Sequence, residues 1–233
     1  MDVIEAALFD LDDTLYPQAD WLRGCWEAVA EEAARLDGID RDRMHDALVR
    51  IAGEGSDRGR IIDRALEAIG APDVDVDPLV GAFLVYRPPA LTPYPGAAEA
   101  VARIREAVPV ALLTDGDPEL QRSKLRLLGL EDAFDIVVLS DELGRELRKP
   151  HPEPFRRALE LLGTRPERAV VVGDRPDKDV AGGAAAGIRT VRVLTGEYRH
   201  VPDVVPPWRV VEGVVDVPDV LLPLASPASR TPG

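Results

Sequence analysis

The sequence predicts an α/β fold: a three-layer parallel-sheet core with an α-helical domain inserted after the first strand. Three observations predict it. Short apolar runs rich in Val and Leu recur along the chain, and they are continuous rather than alternating. That pattern suits strands covered on both faces. Helical patterns separate the later runs, and alternating strand and helix implies right-handed crossovers. The long stretch after the first run carries amphipathic patterns and no convincing strand.

The elements follow in chain order. The first run is IEAALFD, starting at Ile4. WLRGCWEAVAEEAARL, RMHDALVRIA and RIIDRALEAIGA then supply the inserted helices, placed over residues 18–87. RPPALTPYPG returns the chain to the sheet, its prolines and glycine suiting a linker. GAAEAVARIREAV precedes the second strand, VPVALLT, from Val108. DPELQRSKLRLLGL follows, with Asp117 as the N-cap, Pro118 at the first helical position and Gly129 past the end. DIVVLS, from Asp135, is the third strand. PEPFRRALELLG is the helix before RAVVVGD, the fourth strand, from Arg168. The small residues of DVAGGAAAG let a helix sit close to the sheet before TVRVL, the fifth, from Thr190. The core is thereby expected over residues 1–17 and 88–224, with a disordered tail, ASPASRTPG, over 225–233.

Composition narrows the function. The chain has 233 residues, 45% hydrophobic and 30% charged, which is a globular balance. Its net charge of −14 argues against nucleic-acid phosphates and anionic membranes as partners. A small phosphorylated ligand stays open, because a bound cation can dominate a local site. The single cysteine, Cys25, forms no internal disulfide and fits a reducing compartment. The first residues show neither a basic region nor a long apolar stretch, and no segment is apolar enough to span a membrane. The expectation is a cytoplasmic protein. Its oligomeric state is not readable.

The chemistry lies at the strand ends. Residues two apart on a strand share a side, so Asp10 and Asp12 face one way and Asp13 the other. In open α/β sheets the ligand crevice lies outside the carboxyl ends of the strands. The second run ends at Thr114, in LLTDG, with Asp115 and Gly116 following. The fourth runs into VVVGDRPDKD, with Asp174 at the crevice and Asp179 in the next turn. Lys149 precedes a proline-started helix in KPHPEPF. Clustered Asp oxygens suit a hard cation such as Mg²⁺. A lysine and a hydroxyl suit phosphate. One Asp can attack phosphorus, and a second can serve as acid and base.

DLDDT, LLTDG, KPHPEPF and VVVGDRPDKD, in this order, resemble the four motifs of the haloacid dehalogenase-like hydrolase superfamily. The resemblance covers the chain from about Leu8 to Leu194. It implies a Rossmann-like core, and the inserted helices resemble the small α-helical cap of the first type. It also implies roles. Asp10 is the nucleophile that forms an aspartyl-phosphate. Asp12 is the general acid/base, with its backbone carbonyl on Mg²⁺. Thr114 and Lys149, with Asp115 and Gly116 beside Thr114, hold the phosphoryl group. Asp174 ligates Mg²⁺, and Asp179 supports the metal or Lys149.

The implied activity is Mg²⁺-dependent hydrolysis of a small phosphorylated metabolite. The acid at Asp12 separates this chain from the dehalogenases. The absence of any Lys before Arg87 separates it from phosphonatases that use a cap lysine. A sugar-phosphate mutase shares the Asp pair and stays open, as does a non-catalytic phosphate- or metal-binding regulator. Two departures stand out. Asp115 follows Thr114 where relatives often carry Asn. ELGRELRKP is longer than the usual approach to the lysine, so Arg145 or Arg148 competes with Lys149 for its role.

Overall fold

The computed structural model describes residues 3–55 and 58–226. The chain divides into two compact units, Met1–Gln18 with Ala90–Gly233, and Ala19–Pro89.

The larger unit is built on a parallel sheet. Its strands are β1 (Ala6–Phe9), β2 (Val110–Thr114), β3 (Ile136–Leu139), β4 (Ala169–Gly173), β5 (Arg189–Val193) and β6 (Arg209–Val211). Their order is β3-β2-β1-β4-β5-β6, and every pairing is parallel. The order reverses direction between β1 and β4, which opens a crevice at their carboxyl ends. This is the expected α/β fold, with one strand more than the sequence shows. RVV of β6 is too short to register as an apolar run, and it lies at the edge of the sheet, half in solvent.

Strand alternation divides the core. Leu8, Ala111, Leu113, Val138 and Val171 pack with Phe155, Ala158 and Leu159 in one buried cluster. The last three belong to α7 (Pro152–Leu162). Leu112 and Thr114 alternate with Ala111 and Leu113 and point to the opposite face, on the side of α5 (Ala97–Ala107) and α6 (Pro118–Leu128). Asp117 caps α6 by accepting from the N–H of Leu120 at 3.0 Å.

The smaller unit is helical. It contains most of α1 (Gln18–Asp37), with α2 (Arg41–Ala52), α3 (Ile61–Ile69) and α4 (Asp77–Val85). Trp26, Val29, Met44, Leu48, Ile62 and Leu66 are among its core residues. Phe83 sits between Trp21 and Trp26, with ring centroids 5.1 and 5.0 Å away. The sequence shows no amphipathic stripe for α4, because DPLVGAFLV is apolar nearly all round. Cys25 is buried.

Two further departures are local. The long approach to Lys149 is taken up by single helical turns at Ser140–Glu142 and Arg145–Leu147. The first two residues of the expected tail are tied to the core. Ala225 bridges Ile4, and the Ser226 N–H donates to the Ile4 carbonyl at 3.0 Å. The rest of the expected tail, 227–233, lies outside the described residues. Among the described residues no helix is long and apolar enough to cross a membrane.

Helix and sheet approach closely at α8 (Ala181–Ala185). A Cβ on Gly183 would lie 2.6 Å from Thr190 Cγ2 and 3.2 Å from Val171 Cγ2. Both neighbours are buried β-branched side chains with little freedom to move. Gly183→Ala is therefore expected to destabilise the core by about 1–3 kcal/mol through overpacking, read as a lower urea midpoint with an unchanged slope.

Candidate active site

Three carboxylates meet at the switch between β1 and β4. Asp10 follows β1, Asp174 follows β4, and Asp179 lies in the π-helical turn Pro176–Val180. All three are buried, and each offers an oxygen within 4.8 Å of the others. The Asp10 N–H donates to the Val172 carbonyl at 3.0 Å, so the ladder of β1 and β4 carries on into the site.

Lys149 enters this acid cluster from the loop before α7. Its ammonium donates to Asp10 Oδ1 at 2.5 Å, to Asp179 Oδ1 at 2.7 Å and to the Leu113 carbonyl at 3.2 Å. Those three acceptors match its three hydrogens. The other oxygen of Asp179 accepts from the Arg175 N–H at 3.1 Å. Lys149 has left water almost completely, at 5% exposure. Burial alone would push its pKa down, but Asp10, Asp179 and Asp115 hold it well above the ordinary lysine range. It is a fixed positive charge.

The acids are pushed the other way. Burial, with the charges of Asp179 and Asp12, raises Asp10 to about 7 against the pull of Lys149. Burial first, then Asp179, Asp10 and Asp13, raises Asp174 well above the carboxylate range. Burial and the crowding of like charge thus outweigh Lys149 at both groups. A hard divalent cation fits such a donor set: carboxylate oxygens, buried, convergent and short of positive charge.

Thr14 joins the two strand ends. Its Oγ1 lies 3.3 Å from Asp10 Oδ2 and 3.4 Å from Asp174 Oδ1, and it accepts from the Asp174 N–H at 3.1 Å. The sequence pattern contains this threonine, in DLDDT, without marking a role for it. Its spacing, four residues after Asp10, is the signal that was available.

Asp12 sits apart from the triad. Its Oδ1 accepts from Lys124 Nζ at 2.7 Å and Tyr16 OH at 2.5 Å. Its Oδ2 accepts from Gln121 Nε2 at 2.9 Å. Burial raises its pKa, but these three donors, Lys124 foremost, outweigh burial and hold it below the usual range. Thr114 is buried at the end of β2 and shares Gln121, whose Nε2 lies 2.6 Å from Thr114 Oγ1. Sequence reasoning misses Gln121, Lys124 and Tyr16. A glutamine and a lysine on a helix carry no site signal until the helix is docked.

The remaining candidates have other partners. The Asp115 carboxylate turns away, accepting from Ser140 Oγ at 2.7 Å and the Lys149 N–H at 3.1 Å. Its acidity thus anchors the Lys149 segment. The Gly116 N–H donates to Asp141 Oδ1 at 3.3 Å. Arg148 forms a two-pronged pair with Asp141, at 2.6 Å on each prong. Arg145 lies in the preceding turn, and neither arginine has a bond to the triad among the described contacts. Asp13 adopts a positive φ of 57° and accepts from the N–H groups of Gln18 and Glu197. It serves the backbone.

A carboxyl whose pKa is higher folded than unfolded binds its proton more tightly when folded. Asp10, at about 7, therefore favours folding at low pH, and that contribution is lost as pH rises from about 4 to 7. In chelator the unfolding free energy is expected to fall over this window. Asp10→Asn removes the ionisation and should stabilise the chelated protein at about pH 8 by on the order of 2 kcal/mol, measured by urea titration. A wild type more stable than the variant under those conditions contradicts the assignment of Asp10 as a strained acid.

Comparison with known proteins places this arrangement. A phosphoserine phosphatase of Thermus thermophilus is 40% identical, the match covering 87% of this chain and 94% of the relative. A glyceraldehyde 3-phosphate phosphatase of Methanopyrus kandleri is 36% identical over 84% of this chain and 87% of its own length. Among solved structures, a HAD phosphatase from Thermococcus onnurineus covers 94% of the chain with a TM-score of 0.68 at 22% identity, a likeness of fold. The sequence pattern of the haloacid dehalogenase-like hydrolases matches residues 4–187, and this chain belongs to that family.

Proposed function

We propose that this protein is a Mg²⁺-dependent phosphatase that hydrolyses a small phosphorylated metabolite through an aspartyl-phosphate on Asp10. The observation that carries the reading is the buried Asp10–Lys149–Asp179 network beside Asp174, with a second carboxylate, Asp12, two residues from Asp10. A binding protein has no need of that second acid. The relatives support the class, since they are named as phosphatases of glyceraldehyde 3-phosphate, phosphoserine and phosphoglycolate.

Asp10, Asp174 and the backbone carbonyl of Asp12 would hold Mg²⁺, with Asp179 in support. The bound cation would neutralise phosphate charge and draw Asp10 into its ionised form. An Asp10 carboxylate oxygen attacks phosphorus. The bond to the leaving oxygen breaks, and Asp12 passes to that oxygen a proton it has taken from the incoming phosphate monoanion. Water then attacks the aspartyl-phosphate, its proton passing to Asp12, and Asp10 is released. Lys149 holds a phosphoryl oxygen with a charge that does not titrate in the working range. Thr114 donates to a second oxygen. Asp115 keeps Lys149 in place through its backbone.

The test is release of inorganic phosphate. Wild type should release phosphate from p-nitrophenyl phosphate with Mg²⁺ and lose that activity in chelator. Asp10→Asn and Lys149→Met should each lower kcat by about a thousandfold or more. Unchanged turnover in Asp10→Asn, or in chelator, sinks the mechanism. A panel of phosphorylated metabolites then identifies the substrate, and conversion to an isomer without free phosphate would mark a mutase instead. Protons and the cation compete for Asp10, so Mg²⁺ affinity by calorimetry should weaken as pH falls through about 7.

A further inference from the structure

Gln121 and Lys124 stand three residues apart on α6, so both side chains leave the same face of the helix. Both are buried, at 1% and 2% exposure. That face meets the sheet, where apolar side chains would pack at no cost in desolvation. A buried lysine carries such a cost, and it persists only where its charge is matched. Here it is matched by Asp12, at 2.7 Å. The pair spans two elements far apart in sequence, β1's exit and α6.

The donors also divide the Asp12 carboxylate unevenly. Lys124 Nζ and Tyr16 OH both bond Oδ1. Among the described residues only Gln121 bonds Oδ2, at 2.9 Å. A carboxylate oxygen accepts about two hydrogen bonds. Oδ1 is filled, and Oδ2 keeps one acceptor direction. The same Gln121 nitrogen bonds Thr114 Oγ1 at 2.6 Å. One amide thus ties the acid/base to the hydroxyl at the end of β2.

We infer that Gln121 and Lys124 are positioning residues for proton transfer, fixing the rotation of Asp12 so that Oδ2 faces the leaving-group oxygen. The inference rests on Asp12 being the general acid/base. In the transfer step, the Asp10–phosphorus bond forms and the phosphorus–leaving-oxygen bond breaks, while a proton that Oδ2 has taken from the incoming phosphate monoanion moves to the leaving oxygen. In hydrolysis, water's oxygen bonds phosphorus, its proton returns to Oδ2, and the Asp10–phosphorus bond breaks. Gln121 and Lys124 touch neither phosphate nor substrate in these steps. They hold the atom that moves the proton.

A leaving-group series separates this role from a structural one. Aryl phosphates from p-nitrophenyl to p-methoxyphenyl phosphate demand increasing protonation of the departing oxygen. kcat/KM isolates the transfer step, because hydrolysis of the aspartyl-phosphate is common to all of them. In Lys124→Met and Gln121→Leu, kcat/KM should fall about tenfold further for p-methoxyphenyl than for p-nitrophenyl phosphate, in the direction of Asp12→Asn. Lys124→Arg keeps a donor cation and should restore most of the wild-type dependence. Circular dichroism checks the fold of each variant, and Gln121→Leu carries the test if Lys124→Met does not fold.

Equal losses across the series in both variants, or no loss in either, overturn the positioning role while leaving the phosphatase reading intact. If Asp12→Asn itself shows no steeper dependence than wild type, the acid/base reading falls, and this inference falls with it.

Discussion

The Lys149 ammonium between Asp10 and Asp179 is the interaction on which the rest of the site depends. Without it, three carboxylates would share one dry crevice with no counter-charge. Without the carboxylates, a lysine would be stranded in the core. Removing Lys149 would leave Asp10 and Asp179 buried without their counter-charge, a loss of ~3–5 kcal/mol. Each side is therefore held in place by the other. The partners come from the end of β1, the loop before α7 and the turn after β4, so one contact draws three chain segments together.

That balance is incomplete in its charge. Lys149 answers two acids, and Asp174 is left with Thr14 and its own raised pKa. In the proposed reaction a divalent cation would make up that deficit and then face a phosphate dianion. Stability and function pull in opposite directions here. A neutral crevice would fold more readily and bind neither. Such strain is expected where a site is prepared for charge that arrives with its ligand.

Asp10 and Asp12, two residues apart, meet different surroundings. Asp10 is buried among acids and pushed up, whereas Asp12 is bonded by Lys124, Tyr16 and Gln121 and pushed down. Two carboxylates of one short segment thus receive different properties from the groups that face them. For Asp10 to act as the proposed nucleophile, a bound cation would have to reverse this order by drawing it into its ionised form.

DLDDT, LLTDG and VVVGDRPDKD were legible as strand ends with chemistry, because continuous apolar runs announce parallel strands and acids at their ends have no packing purpose. The helices of the core were legible from their caps and glycines, as Asp117 and Gly129 show. β6 and α4 were not: a three-residue edge strand has too few residues to show a period, and a helix apolar nearly all round shows no stripe. Asp115 could be noticed as an oddity, but only folding revealed that its carboxylate holds the Lys149 backbone. Gln121 and Lys124 were invisible for the same reason. Sequence by itself determined which strands form and which chemical groups lie at their ends, since both depend on local pattern. The tertiary structure alone decided which groups meet, because a hydrogen bond between Lys124 and Asp12 depends on how α6 docks, and no local pattern encodes that distance.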